Sequence, residues 1–115
     1  MLLVQYPKCS TCKKALKFLK ENNFAIEVRD IVNETPTREE LLEWIDKSNL
    51  EFKKFFNTSG KVYKELNLKD KINSMTKEEA IELLSSNGML IKRPILINEN
   101  LVIIGFKEYN YSKLQ

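Results

Sequence analysis

Leu2-Leu3-Val4-Gln5-Tyr6-Pro7-Lys8-Cys9-Ser10-Thr11-Cys12-Lys13-Lys14-Ala15-Leu16 carries most of the architectural information in this 115-residue chain. Its first five residues form an apolar run closed by a proline, the pattern of a short buried strand. Beyond the cysteines the period changes. Cys12, Ala15, Leu16 and Leu19 fall at i, i+3, i+4 and i+7, while Lys13, Lys14, Lys17 and Lys20 take other positions. That is the stripe of an amphipathic helix, and it ends near Asn22-Asn23. Ala25 to Ile31 then alternates apolar and polar residues, which predicts a half-buried strand. Strand, helix and strand follow one another, and a helical crossover of this length joins parallel strands of one sheet.

Outward from this unit the chain turns helical. Thr37-Arg38-Glu39-Glu40 and Thr76-Lys77-Glu78-Glu79 both match the capping box, a hydroxyl residue with Glu three positions later. Leu41, Trp44 and Ile45 follow the first, and Ala80, Ile81 and Leu84 the second. Phe52, Phe55 and Phe56 predict a short helix ending at Asn57-Thr58-Ser59-Gly60, and a further one carries Val62, Tyr63 and Leu66. These aromatics are expected to serve the core. The last third returns to sheet: Pro94-Ile95-Leu96-Ile97 and Leu101-Val102-Ile103-Ile104, joined by Asn98-Glu99-Asn100, read as an antiparallel hairpin. Gly105 breaks the second strand, and Phe106 to Leu114 is expected to form a closing helix. The order βαβ, helices, ββα predicts one α/β domain over residues 1–115. It is a four-stranded mixed sheet on the thioredoxin plan, with a helical insertion over about residues 33–90.

Composition removes several function classes. Histidine is absent, so there is no Cys-His or Ser-His pair and no imidazole metal ligand. Two cysteines alone fall short of a four-ligand zinc site. The net charge of +3 is small and dispersed, which argues against direct nucleic-acid binding. No run of apolar residues is long enough to span a bilayer, and the first residues lack the basic start of a signal peptide. A cytoplasmic location is the expectation.

Cys9-Ser10-Thr11-Cys12 stands between a predicted strand and a predicted helix. Backbone N–H groups at a helix start lack partners, and the helix dipole adds positive potential there. An anion is favoured at that point, so Cys9 is expected to ionise easily and act as nucleophile. Lys8, Lys13 and Lys14 are expected to add charge. Cys12 falls one turn further in on the apolar face, with the higher pKa of a resolving thiol. Stability alone is a weak purpose for this pair, since a disulfide closing so short a loop contributes about 2 kcal/mol and a reducing compartment would not preserve it. Lys92-Arg93-Pro94-Ile95 is the second candidate segment. In a thioredoxin-type sheet the strand entering here begins with a cis-proline facing the C-x-x-C, which would bring Arg93 close to Cys9.

Four segments together resemble the arsenate reductase / Spx family, over essentially the whole chain: Tyr6 to Ala15, Phe55 to Gly60, Gly88 to Ile95, and Gly105-Phe106-Lys107-Glu108. The resemblance implies the thioredoxin-like fold with a helical insertion, and cis-Pro94. It implies that Cys9 matches the nucleophile of glutathione-dependent arsenate reductases and Arg93 one of three arginines that hold their oxyanion. The other two fall at Asn57 and near Gly105, neither of them basic here, and those enzymes generally carry serine where this chain has Cys12. Losing guanidinium groups weakens an oxyanion site. Spx regulators share the C-x-x-C as a redox switch and bind RNA polymerase, but carry further sequence after the last helix, where this chain stops. The expectation is a thiol–disulfide oxidoreductase with catalytic Cys9, Cys12 and Arg93. Ser10, Thr11, Asn57 and Pro94 are expected to contact substrate. The substrate would be a protein disulfide, a small thiol or an oxyanion. Electrons would come from glutathione, glutaredoxin or thioredoxin, without a bound cofactor. Arsenate reduction and polymerase-binding regulation are the alternatives.

Overall fold

Side chains that alternate along two central strands, Leu2–Gln5 (β1) and Ile95–Ile97 (β3), sort the core of this computed structural model, which describes residues 1–114. Leu3 and Leu96 point to one face, where they pack with Ala15, Leu19 and Tyr111; Val4, Ile95 and Ile97 point to the other, against Leu41, Trp44, Ile45, Ala80 and Leu84. Because helices cover both faces, these strands read as continuous apolar runs rather than as alternation. The sheet order is β2-β1-β3-β4, where β2 is Glu27–Asp30 and β4 is Val102–Ile104. β1 runs parallel to β2 and antiparallel to β3, and β3 antiparallel to β4. Helix α1 (Ser10–Glu21) makes the β1–β2 crossover. α2 (Arg38–Ser48), α3 (Lys61–Glu65) and α4 (Lys77–Ser86) follow β2, with short 3-10 turns between them and at Gly88–Leu90.

Both capping boxes form. Thr37 accepts from the Glu40 N–H at 3.1 Å while the Glu40 carboxylate takes the Thr37 N–H at 3.0 Å. Thr76 and Glu79 repeat this at 3.1 and 2.9 Å, and each cap contributes about 1 kcal/mol. Glu40 does more: Arg29 of β2 closes on its two oxygens at 2.7 and 2.9 Å, tying sheet to helix through a bidentate pair. That bond, with the cap, holds the Glu40 carboxyl down to about 2, although its partial burial opposes ionisation.

Two expectations are corrected. The strand anticipated over Ala25–Ile31 is confined to Glu27–Asp30, and Val28 is 44% exposed. β2 lies at the sheet edge, so alternation there buries Ile31 and half-buries Ile26 at its ends while leaving its middle open. The closing helix starts later than Phe106, as α5 (Glu108–Tyr111) continued by a 3-10 turn over Ser112–Leu114. Gly105, at φ +73, turns the chain out of β4, and Lys107 stays extended as the cap. Gly88 answers to a different constraint: a β-carbon there would stand 2.1 Å from the Ile31 carbonyl oxygen, so the turn packs backbone to backbone against the exit of β2. No helix among the described residues is long and apolar enough to cross a membrane.

Candidate functional site

The chain leaves β1 through a tight turn in which the Cys9 N–H donates to the Tyr6 carbonyl at 3.0 Å. Pro7 and Lys8, inside this turn, cannot continue the strand, and Cys9 becomes the N-cap of α1 with extended backbone (φ −90, ψ 120). Its sulfur takes the place of a capping oxygen and accepts the Cys12 N–H at 3.4 Å. Cys12, one turn on, is fully buried beside Ala15. Both cysteines are free thiols.

Their acidities diverge. Burial is the largest single influence on Cys9 and opposes ionisation, but hydrogen bonds from the Cys12 thiol and backbone N–H, and the nearby Arg93 charge, outweigh it and lower the pKa from 9.0. Burial pushes Cys12 the other way, to about 12, reinforced by its hydrogen bond to Cys9 and by repulsion from a Cys9 thiolate. The charge that assists Cys9 is that of Arg93. Lys8, Lys13 and Lys14, expected to help, stand exposed to solvent, and Arg93 is the cation that leads in lowering the Cys9 pKa.

Arg93 arrives from the opposite end of the sequence, just before β3, with the Arg93–Pro94 peptide bond cis. Its guanidinium lies 5.2 Å from the centre of the Tyr6 ring. Two of its nitrogens, Nε and Nη1, are buried with no hydrogen-bond partner. Arg29 puts its guanidinium into two bonds with Glu40. Arg93 keeps part of its donor capacity unused beside a sulfur, which suits a group meant to meet an anion.

A cleft of about 630 Å³ opens over Cys9. Of the anticipated contacts, Thr11, Asn57 and Arg93 line it; Ser10 and Pro94 do not. Ser10 is exposed as the first residue of α1, and Pro94 is buried, its carbonyl accepting the Gly105 N–H at 2.8 Å. Lys92, Ser59, Lys107 and Asn110 also line the cleft, and sequence reasoning gave them no role. Lys107 brings a cation to the wall near Gly105, because the turn at that glycine carries the chain back to the cleft two residues later. Lys92 crosses the same glycine, with its Cε 3.2 Å from where a β-carbon would lie. Among the described residues the cleft thus holds three cations and no carboxylate. Both lysines had one available signal, their adjacency to Arg93 and Gly105.

A mixed four-stranded sheet in βαβ–ββα order, with helices on both faces, is the thioredoxin fold. Its cysteine pair at the head of the first helix sets the class of site. The family model described as the ArsC family matches residues 4–114, and the chain belongs to that family. It is 49% identical over 108 residues to the uncharacterized protein YusI of Bacillus subtilis, covering 94% of this chain and 92% of that one. It is 34% identical over 109 residues to the regulatory protein MgsR of the same organism, covering 95% and 85%. The global transcriptional regulator Spx of Enterococcus faecalis is 29% identical over 108 residues, covering 94% and 80%. An ArsC family related protein from Bacteroides fragilis superposes with a TM-score of 0.96 at 54% identity, over 99% of this chain and 96% of that one.

Proposed function

We propose that this chain is a thiol–disulfide oxidoreductase in which Cys9 attacks and Cys12 resolves. The observation that carries this reading is the single turn of helix that sets a thiol of lowered pKa against one pushed up to about 12. The Cys9 thiolate attacks one sulfur of a substrate disulfide, forming a mixed disulfide and releasing the other sulfur as a thiolate. That step also prepares the next one. Burial, the largest influence on Cys12, remains, but once Cys9 is neutral the hydrogen bond to its thiolate and the repulsion from its charge no longer add to it. Cys12 can then pass its proton to the released thiolate and attack the Cys9 sulfur, which closes the intramolecular disulfide, breaks the bond to the substrate and expels the substrate's first sulfur as a thiolate.

Arg93 would hold the Cys9 thiolate, and Thr11 and Asn57 would contact the substrate. Ser10, which opens α1, and Pro94, which anchors Gly105, would shape the site through the backbone. Glutathione, glutaredoxin or thioredoxin would return the pair to dithiol in a reducing bacterial cytoplasm, with no bound cofactor. The experiment is a pair of variants in lysate. Cys9→Ser is expected to abolish exchange, whereas Cys12→Ser should retain attack and accumulate partners that only reductant releases. Equal loss of attack in both variants would overturn the division of roles.

A second reading is favoured by the likeness to MgsR and Spx: a redox-controlled regulator that contacts RNA polymerase. It requires a non-covalent surface that survives mutation of both cysteines. Polymerase retained by the double Cys→Ser chain, with an empty Cys12→Ser trap, would favour it. An oxyanion substrate is supported by Lys92, Arg93 and Lys107 in one cleft, and competition of arsenate with disulfide exchange would report it.

A further inference from the structure

Two hollows meet at Lys92. One is the cleft over Cys9; the other, of about 430 Å³, is lined by Lys53, Lys54, Thr58 and Tyr63, and both share Lys92 and Ile104 as a wall. Ile104 ends β4, an edge strand paired only with β3. In that ladder Leu96 faces Ile103, and Gly105 donates to the Pro94 carbonyl. Ile104, opposite Ile95, falls between those hydrogen-bonded pairs and turns its own N–H and C=O away from β3. An open edge of this kind is a template for an extended chain.

The charge along the wall is lopsided. Lys53, Lys54, Lys92, Arg93 and Lys107 line the two hollows, against Glu51 alone. The whole chain, by contrast, holds 19 basic and 16 acidic residues. None of these five cations is in an ion pair: those among the described residues are Arg29–Glu40, Arg38–Glu82 and Lys77–Asp46.

We propose that the two hollows form one docking groove for an acidic polypeptide, whose extended segment lies along Ile104 with Asp or Glu side chains against Lys53, Lys54 and Lys92 and its disulfide over Cys9. The inference rests on Cys9 as an exchanging nucleophile and names what it exchanges with. A small oxyanion or a low-mass thiol would fill the cysteine cleft alone and leave Lys53, Lys54 and the strand edge unused. In the groove, a bond forms between Cys9 Sγ and one peptide sulfur as the peptide S–S bond breaks, and the second peptide sulfur leaves as thiolate. Attack of Cys12 on Cys9 Sγ then frees the first. The peptide has gained two electrons, and the Cys9–Cys12 disulfide awaits a dithiol reductant.

The test compares reaction rates of the full chain carrying Cys12→Ser with three disulfides: a peptide flanked by Asp and Glu, one of equal length flanked by Lys, and neutral 2,2′-dithiodipyridine. At low salt the acidic peptide is expected to react about tenfold faster than the basic one, with the ratio shrinking at high salt. Lys54→Glu should remove the preference. Lys17→Glu, an equal charge change on the exposed side of α1 outside the groove, should keep it. Equal peptide rates, or a preference that ignores Lys54→Glu, overturn the groove while dithiodipyridine still reports a live nucleophile. Failure with all three disulfides overturns the exchange reading itself, and the groove with it.

Discussion

At the head of α2, Thr37 caps the helix with an oxygen, Glu40 returns the bond to the Thr37 N–H, and Arg29 closes on the same carboxylate with two further bonds. At the head of α1 the capping atom is the Cys9 sulfur, held by one contact of 3.4 Å, and the neighbouring arginine keeps two buried nitrogens unpartnered. Both places use a helix start and an arginine. In the first, every strong group is spent on another group of the chain, and the result is stability. In the second, satisfaction is withheld, and the result is a thiol of lowered pKa and a cation with donors to offer. Buried donors left unpaired cost free energy, so the molecule tolerates at Arg93 a loss that it avoids at Arg29.

If this contrast is right, the two arginine sites should separate under mutation. Of the two arginine sites, the larger effect on exchange belongs to Arg93→Ala, which should slow Cys9 exchange about tenfold at neutral pH by shrinking the thiolate fraction. Cys9 has a lowered pKa, so its thiolate is already populated below pH 9.0. Without Arg93 the midpoint of the pH–rate curve should move up, and an unchanged midpoint would remove the arginine from the site. Stability should shift by only about 1 kcal/mol, since a contact with Tyr6 is lost while two unpartnered donors disappear with the side chain.

Glu40→Ala should do the reverse. Denaturant unfolding is expected to show a loss of about 2 kcal/mol, from the cap and the charge-assisted bonds together, with exchange unchanged. Its pH dependence has a definite sign. The Glu40 carboxyl titrates at about 2 in the folded chain against 4.5 ordinarily, so its stabilisation is complete above about 4.5 and fades as the pH falls towards 2. The stability gap between wild type and Glu40→Gln should close over that window. Thr76→Ala removes a capping box that no arginine reinforces, and the expected loss is smaller, about 1 kcal/mol. Equal losses at Glu40 and Thr76 would mean that Arg29 adds nothing to the cap.

The same contrast explains what could be read from the sequence. Capping boxes are local, and Thr37-x-x-Glu40 and Thr76-x-x-Glu79 were visible as residue types at fixed spacing. So were the stripe of Cys12, Ala15 and Leu19 and the hairpin around Asn98-Glu99-Asn100. The exposure of Val28 was not, because alternation reports a face but not whether the strand lies at the edge of the sheet. The cysteine pair was legible, whereas the origin of its positive field was not. Lysines adjacent in sequence stand exposed, and the acting charge comes from Arg93, more than 80 residues away in the chain. Lys92 and Lys107 reach the cleft only because β3, β4 and the turn at Gly105 fold them there.

Gly88 bears on how Arg93 is held beside the Cys9 thiol. With the Ile31 carbonyl 2.1 Å from its would-be β-carbon, residue 88 sets the seat of the turn whose next residues, Ile91 and Lys92, are pinned to Gly88 and Phe55 at 3.2 and 2.7 Å and lead directly into Arg93. A single methyl group at that seat would collide with the Ile31 carbonyl, and the run that leads to Arg93 is expected to shift to relieve it. The lowered pKa of the sulfur at position 9 is then expected to depend on a clearance at position 88. A rise in the Cys9 pKa of Gly88→Ala would trace damaged chemistry to a residue that has no side chain at all.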